Sequence, residues 1–223
     1  MSSKNTRREF IKDGIYHIYN RGVEKRNIFL DEEDYKIFLY YLKAYLLPPD
    51  IEKKTPVNIM RLGSDFDLYK NIQLLSYVLM PNHFHFILKQ FSEDAITKFM
   101  RRLTIAYVRY FNNKQRRVGP LFQGRYKGIL VDKDDYFLYL SSYIHINPIE
   151  LPKYSEINTL EHYPYSSYSD YIGKTNTPWI HREYILNYIN DKEDKFLFYK
   201  EQTEKLALES DKYKKEFSPL LLE

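Results

Sequence analysis

Met80-Pro81-Asn82-His83-Phe84-His85-Phe86-Ile87-Leu88 sets two histidines one residue apart in a run of β-forming residues. A strand sends residues i and i+2 to the same face, so the imidazoles share one face while Phe84, Phe86 and Leu88 share the other. The aromatic side calls for a core, and the histidine side offers a two-nitrogen platform for an ion. Hydrogen-bonded structural histidines account for the pair almost as simply, because an ion needs at least one further donor.

The elements on either side fix the architecture. Gly14 to Asn20 is β-branched and aromatic and runs into the loop Arg21-Gly22-Val23-Glu24-Lys25-Arg26-Asn27, which reads as strand then turn. Asp31-Glu32-Glu33-Asp34 puts acids in the first turn of a helix carrying Tyr35, Phe38, Leu39, Leu42 and Tyr45, and Pro48-Pro49 ends it. Residues 49 to 66 are polar and irregular. Leu68 to Met80 reads as a second strand that turns at Pro81-Asn82 into the histidine strand.

Ser92 is placed to cap the next helix, whose apolar stripe is Ile96, Phe99, Met100, Leu103, Tyr107 and Tyr110. A fourth strand fits Leu121 to Val131. From Asp132 or Asp134 a last helix of the series runs through Tyr136, Phe137, Leu140, Tyr143 and Ile144, to stop near Pro148. The order β-α-β-β-α-β predicts an α+β fold of the ferredoxin-like, split β-α-β kind. Its antiparallel sheet has two crossover helices on one face, which leaves the added, tyrosine-bearing helix to cover the other. Residues 1 to 150 then form the main domain, and 151 to 223 a tyrosine- and charge-rich, partly helical extension.

Composition narrows the chemistry. The 223 residues include no cysteine, which excludes disulfides, zinc-thiolate sites, iron-sulfur clusters and thiol nucleophiles; any metal must be held by histidine, carboxylate or amide. Neither a secretory leader nor a run approaching ~20 apolar residues is visible, so a cytoplasmic location without membrane contact is expected. The net charge of +4 is unevenly spread: Lys98 to Val131 holds nine Lys and Arg and no Asp or Glu. Phosphate is the natural partner for such a segment.

On the helix after the fourth strand, Tyr143 and Asn147 stand four residues apart, about 40° around the axis, whereas His145 points about 200° away from Tyr143. Asn147 therefore fits as a third ligand better than His145 does. Here the chain becomes recognisable. Met80 to His85, Leu121-Phe122-Gln123-Gly124-Arg125-Tyr126-Lys127, Ser142-Tyr143-Ile144-His145-Ile146-Asn147-Pro148 and Tyr16-His17-Ile18-Tyr19-Asn20-Arg21-Gly22 together resemble the single-tyrosine HUH transposases of the IS200/IS605 type. The resemblance is greatest to their REP-associated tyrosine transposase branch and spans residues ~14 to ~150.

That resemblance implies His83, His85 and Asn147 as ligands of a divalent metal and Tyr143 as the nucleophile toward the DNA backbone, with His83 and His85 serving catalysis through the metal. Insertion-sequence relatives often carry glutamine where this chain has Asn147, and the shorter side chain weakens the third bond. The chemistry is coherent in itself. Cutting and rejoining a phosphodiester calls for a covalent intermediate, and a phenolate serves as both nucleophile and leaving group. Nitrogen and oxygen ligands suit Mg2+ or Mn2+, although two imidazoles also tolerate Zn2+ or Ni2+.

Tyr126 is the main rival nucleophile, but on a strand it shares the core-facing side with Phe122, which favours packing or base stacking. His17 alternates with Ile15 and Tyr19 beside the histidine strand, where it supports the site from behind or is simply a satisfied buried histidine. Arg21, Arg101, Arg102, Arg109, Arg125 and Lys127 are the candidates for contact with single-stranded or hairpin DNA. The other functional reading is a domesticated descendant that binds structured DNA or RNA without cutting it. Monomer and homodimer are both compatible with the sequence.

Overall fold

The computed structural model describes residues 10–48, 68–132 and 134–209; the irregular segment expected at 49 to 66 lies outside the described residues. Strand β1 (Ile15–Arg21) leads through helix α1 (Glu32–Leu46) and a single helical turn, α2 (Leu68–Asn71), into β2 (Ile72–Met80) and β3 (His83–Gln90). Helix α3 (Ala95–Lys114), β4 (Lys127–Leu130) and α4 (Asp134–Ile146) follow. The strands lie in the order β2-β3-β1-β4, every pair antiparallel. β1 and β2 thus run parallel with β3 between them, the split β-α-β arrangement read from the sequence.

The alternation in β3 divides the molecule into layers. Phe84 and Phe86 are fully buried, stack on each other at 4.6 Å and meet Phe38 of α1 at 5.7 and 6.3 Å, while Phe38 packs edge-on against Tyr107 of α3 at 4.8 Å. Each such ring contributes roughly 1.5–3 kcal/mol by leaving water. The two crossover helices therefore cover this face. His83 and His85 emerge on the other, where α4 packs: Ser76 of β2 meets His145 at 3.0 Å, and His83 meets Asn147 just beyond the helix end.

Caps and turns follow local chemistry, with corrections. Asp31 accepts the amide of Asp34 and starts α1 as its acids predict. α3 begins at Asp94, not under a Ser92 cap, because the Ser92 hydroxyl turns to the Asp94 carboxylate instead. The second strand starts only at Ile72, after the α2 turn. The fourth is four residues long rather than eleven. Of residues 121–126 only Phe122 still pairs, in an isolated antiparallel bridge with Gly22 made by Val23 N–H to the Leu121 carbonyl and Gln123 N–H to that of Arg21, while the Asn20 side-chain amide takes the Gly124 carbonyl out of the regular ladder. α4 stops at Ile146, and Asn147 opens a 3-10 turn through Glu150.

Beyond residue 150, short turns, α5 (Tyr168–Tyr171), α6 (Glu183–Leu186) and α7 (Lys195–Leu208) lie against β2 and α4. β2 would otherwise be an open sheet edge, with unpaired N–H and C=O groups. Instead Leu79 N–H donates to the Tyr165 carbonyl (2.8 Å), Ser167 N–H to that of Tyr77 (3.0 Å), His181 N–H to that of Leu74 (2.9 Å), and the Tyr171 hydroxyl to that of Leu75 (2.8 Å). Trp179, the single tryptophan, is buried against Tyr77 at 5.5 Å. Among the described residues no helix is long and apolar enough to cross a membrane.

Candidate active site

The register across the sheet assembles the histidine face. Arg21 lies opposite His83 and Tyr19 opposite His85 on β1, while Lys127 of β4 lies opposite Tyr19. Directly paired residues point the same way, so these five side chains share one side of the sheet with His17. The imidazoles of His83 and His85 stand 5.1 Å apart between centroids and nearly perpendicular, at 88°. His17 Nε2 lies 2.8 Å from His85 Nδ1, and Tyr19 stacks over His85 at 5.7 Å. Lys127 holds its ammonium 5.8 Å from the centre of the Tyr19 ring.

Hydrogen bonds assign the protons on His83. The Asn82 amide nitrogen donates to the Lys25 carbonyl, which leaves Asn82 Oδ1 as an acceptor 2.6 Å from His83 Nδ1. That nitrogen therefore carries the proton. Burial lowers the His83 pKa from 6.5 to about 4, with the Asn147 oxygen opposing and the Arg21 charge assisting the shift. The ring is neutral at pH 7, and a neutral imidazole has one N–H, so Nε2 presents a bare lone pair.

What Nε2 faces is a second lone pair. Asn147 Nδ2 donates to the carbonyls of Tyr143 (2.9 Å) and Ile144 (3.2 Å), which turns Oδ1 toward His83 Nε2 at 3.3 Å. Two acceptors so placed, with no proton to share, are a natural pair of ligands for a cation. His85, fully buried, has its pKa held well below 6.5 by desolvation and then by its histidine neighbours, and is likewise neutral. If its Nδ1 donates to His17, its Nε2 is free as a third donor, an orientation that a ligating histidine requires. Among the described residues no three His, Cys, Asp or Glu side chains cluster as a metal site; one of the three donors here is an amide.

Tyr143 is half-buried on α4, packed against the core one turn before Asn147. Tyr126 packs against Phe10, rings nearly parallel at 6.4 Å, just ahead of β4. His145 faces away from His83, as its spacing implies. It is buried among Tyr199 (2.8 Å to Nδ1), Ser167 (2.8 Å) and Ser76 (3.0 Å, both to Nε2) and ties α4 to β2 and α7. The basic segment divides. Arg125 and Lys127 are exposed, Lys127 on the site side of the sheet beside Tyr19; Arg101, Arg102 and Arg109 belong to α3, on the opposite layer. Lys114 is consumed by Asp31, Glu33 and Asp34, and Lys98 by Asp94. Asn82 and Tyr19 carry no functional spacing of their own in the sequence; strand register brings Tyr19 opposite His85, and Asn82 meets the His83 ring as its chain neighbour.

Residues 51–147 match the family model described as Transposase IS200 like. Among solved structures, a REP-associated tyrosine transposase bound to a REP hairpin superposes with a TM-score of 0.53 at 15% identity, covering 82% of this chain and 98% of its own. At that identity the likeness is one of fold. A candidate transposase from Deinococcus radiodurans R1 gives a TM-score of 0.36 at 14% identity, over 65% of this chain and 95% of its own. No curated protein matches the chain.

Proposed function

We propose that the chain, whose residues 51–147 match the IS200-like transposase model, is a metal-dependent enzyme of that kind that nicks single-stranded, hairpin-bearing DNA and transfers the cut strand. Tyr143 is the proposed nucleophile. Its phenolic oxygen attacks the scissile phosphorus, the bond from phosphorus to the 3′ oxygen breaks, and the departing oxygen takes up a proton. The products are a 5′-phosphotyrosine bond and a free 3′-hydroxyl. Rejoining runs the same step backwards, with a 3′-hydroxyl attacking and the phenolate leaving.

His83, His85 and Asn147 are the proposed ligands, and Mg2+ or Mn2+ bound there would polarise a phosphate oxygen as a Lewis acid. His17 holds His85 in the ligating tautomer, and Asn82 does the same for His83. Arg125 and Lys127 follow the backbone of a strand entering the site, with the Tyr19 ring beneath Lys127. Arg101, Arg102 and Arg109, on the far layer, are assigned to phosphates distant from the cut. A hairpin substrate accords with the partner of the REP-associated transposase of similar fold.

One observation carries this reading. Asn147 joins the two halves of the chemistry: its amide nitrogen holds the backbone carbonyl of Tyr143, and its oxygen faces His83 Nε2. The test is incubation with a labelled single-stranded hairpin and Mn2+ followed by denaturing electrophoresis. A covalent adduct is expected from the wild type and from Tyr126→Phe and none from Tyr143→Phe; an adduct that persists in Tyr143→Phe sinks the assignment.

A further inference from the structure

We infer that Arg21 is a ligand for the phosphate that enters the His83–His85–Asn147 site, and that it makes cation binding and DNA binding there depend on each other; the inference rests on the metal site of the proposed function. Arg21 is the last residue of β1 and the direct cross-strand partner of His83. Its main chain is fixed on both sides. Its N–H donates to Asn20 Oδ1 at 2.9 Å, its carbonyl accepts from Gln123 N–H at 2.9 Å, and the next residue, Gly22, donates to the Asn82 carbonyl at 2.9 Å. A side chain at position 22 would run into the Arg26 carbonyl and Ile28, so the turn is tight enough to demand glycine. The base of the Arg21 side chain is thereby held beside the histidines.

Its guanidinium, however, is unmatched. Among the described residues it has no hydrogen bond and no carboxylate partner, and its Nε is buried without an acceptor. Some other cations of this chain find acids: Lys114 has three, Lys98 has Asp94, and Arg26 has Glu24. A buried donor left without an acceptor calls for one from outside the chain. The charge of Arg21 also reaches both imidazoles and disfavours a positive charge on either. It must equally oppose a divalent cation held by them.

An arginine beside a metal pair is therefore unfavourable for metal alone, and its presence makes sense only when an anion lies between the two. A phosphodiester meets that need: one oxygen serves the guanidinium fork and another faces the cation. Each cationic element then strengthens the binding of the phosphate, and the phosphate removes the repulsion between them. By linkage, DNA must tighten metal binding by the same factor that metal tightens DNA binding.

Mn2+ titration of the full chain by calorimetry, alone and with a ten-nucleotide oligothymidylate present, tests this. In the wild type the oligonucleotide should tighten Mn2+ binding about thirtyfold, the order expected from a single and a double charge about 4 Å apart under water-like screening. In Arg21→Gln, Mn2+ alone should bind severalfold tighter than in the wild type, and the oligonucleotide should no longer help. Arg21→Lys keeps the repulsion and loses the fork, so it should bind Mn2+ alone as weakly as the wild type, with reduced tightening; it carries the test should the Gln variant fail to fold. Wild-type binding indifferent to the oligonucleotide, or full coupling retained in the variants, overturns the inference. His83→Ala separates the two readings. If it abolishes Mn2+ binding while the wild type shows no coupling, only the role of Arg21 falls; if it leaves Mn2+ binding intact, or the wild type binds none, the metal site falls and Arg21 with it.

Discussion

His145 makes the fold acid-sensitive in a calculable way. The side chain is buried in a network of Tyr199, Ser76 and Ser167, and burial lowers its pKa from 6.5 to about 3. Above pH 6.5 neither the folded nor the unfolded chain protonates it. Between 6.5 and 3 the unfolded chain binds a proton there and the folded chain does not, so falling pH favours unfolding by about 1.4 kcal/mol per pH unit. At pH 5 that amounts to about 2 kcal/mol from this one residue. Glutamine at 145 can still reach hydroxyl partners and does not titrate. His83 and His85 and the carboxylates lose stability equally in both proteins and cancel in the comparison. Urea unfolding followed by Trp179 fluorescence at pH 7.5 and pH 5.0, with chelator present, supplies the measurement. The wild type should lose about 2 kcal/mol more than His145→Gln between the two pH values. Equal losses would refute the claim that the network keeps His145 neutral.

Asn82→Ala removes the acceptor that keeps the His83 proton on Nδ1 and should weaken Mn2+ binding by about 10–100-fold, read by calorimetry; an unchanged affinity would mean that another group sets the tautomer. Lys127→Ala should weaken binding of single-stranded oligonucleotides irrespective of sequence and lower the slope of log affinity against log salt by about one. Gly22→Ala drives a methyl group into the Arg26 carbonyl and should cost about 2 kcal/mol, a fall in Tm of about 4–8 °C for a chain of this size.

Much of this protein is legible in one dimension. The two-residue period of His83-Phe84-His85-Phe86 assigns the aromatic rings to one layer and the imidazoles to the other, because a pleated strand has no alternative. The acids at 31 to 34, Pro48-Pro49 and Pro148 bracket helices for reasons local to each segment, and the order of elements then leaves few topologies. Local chemistry misled where a distant partner intervened. Residues 121–126 have the composition of a strand, yet the Asn20 side chain takes the Gly124 carbonyl and only the Gly22–Phe122 bridge of that stretch still pairs.

The chain by itself determined which residue types were available for chemistry and which side of each element they occupy, since both follow from side-chain identity and backbone period. Only the tertiary structure decided which of them meet. His17 comes to 2.8 Å from His85 across 68 positions of sequence, Asn147 to 3.3 Å from His83 across 64, and Arg21 comes to lie opposite His83 with no acid among the described residues to answer it. Lys114 and Arg21 look alike as letters in a basic chain; one is neutralised by three carboxylates and the other, among the described residues, is left with a buried Nε that has no acceptor. That difference is set by strand register and helix packing, which bring charges together over distances that no local pattern encodes.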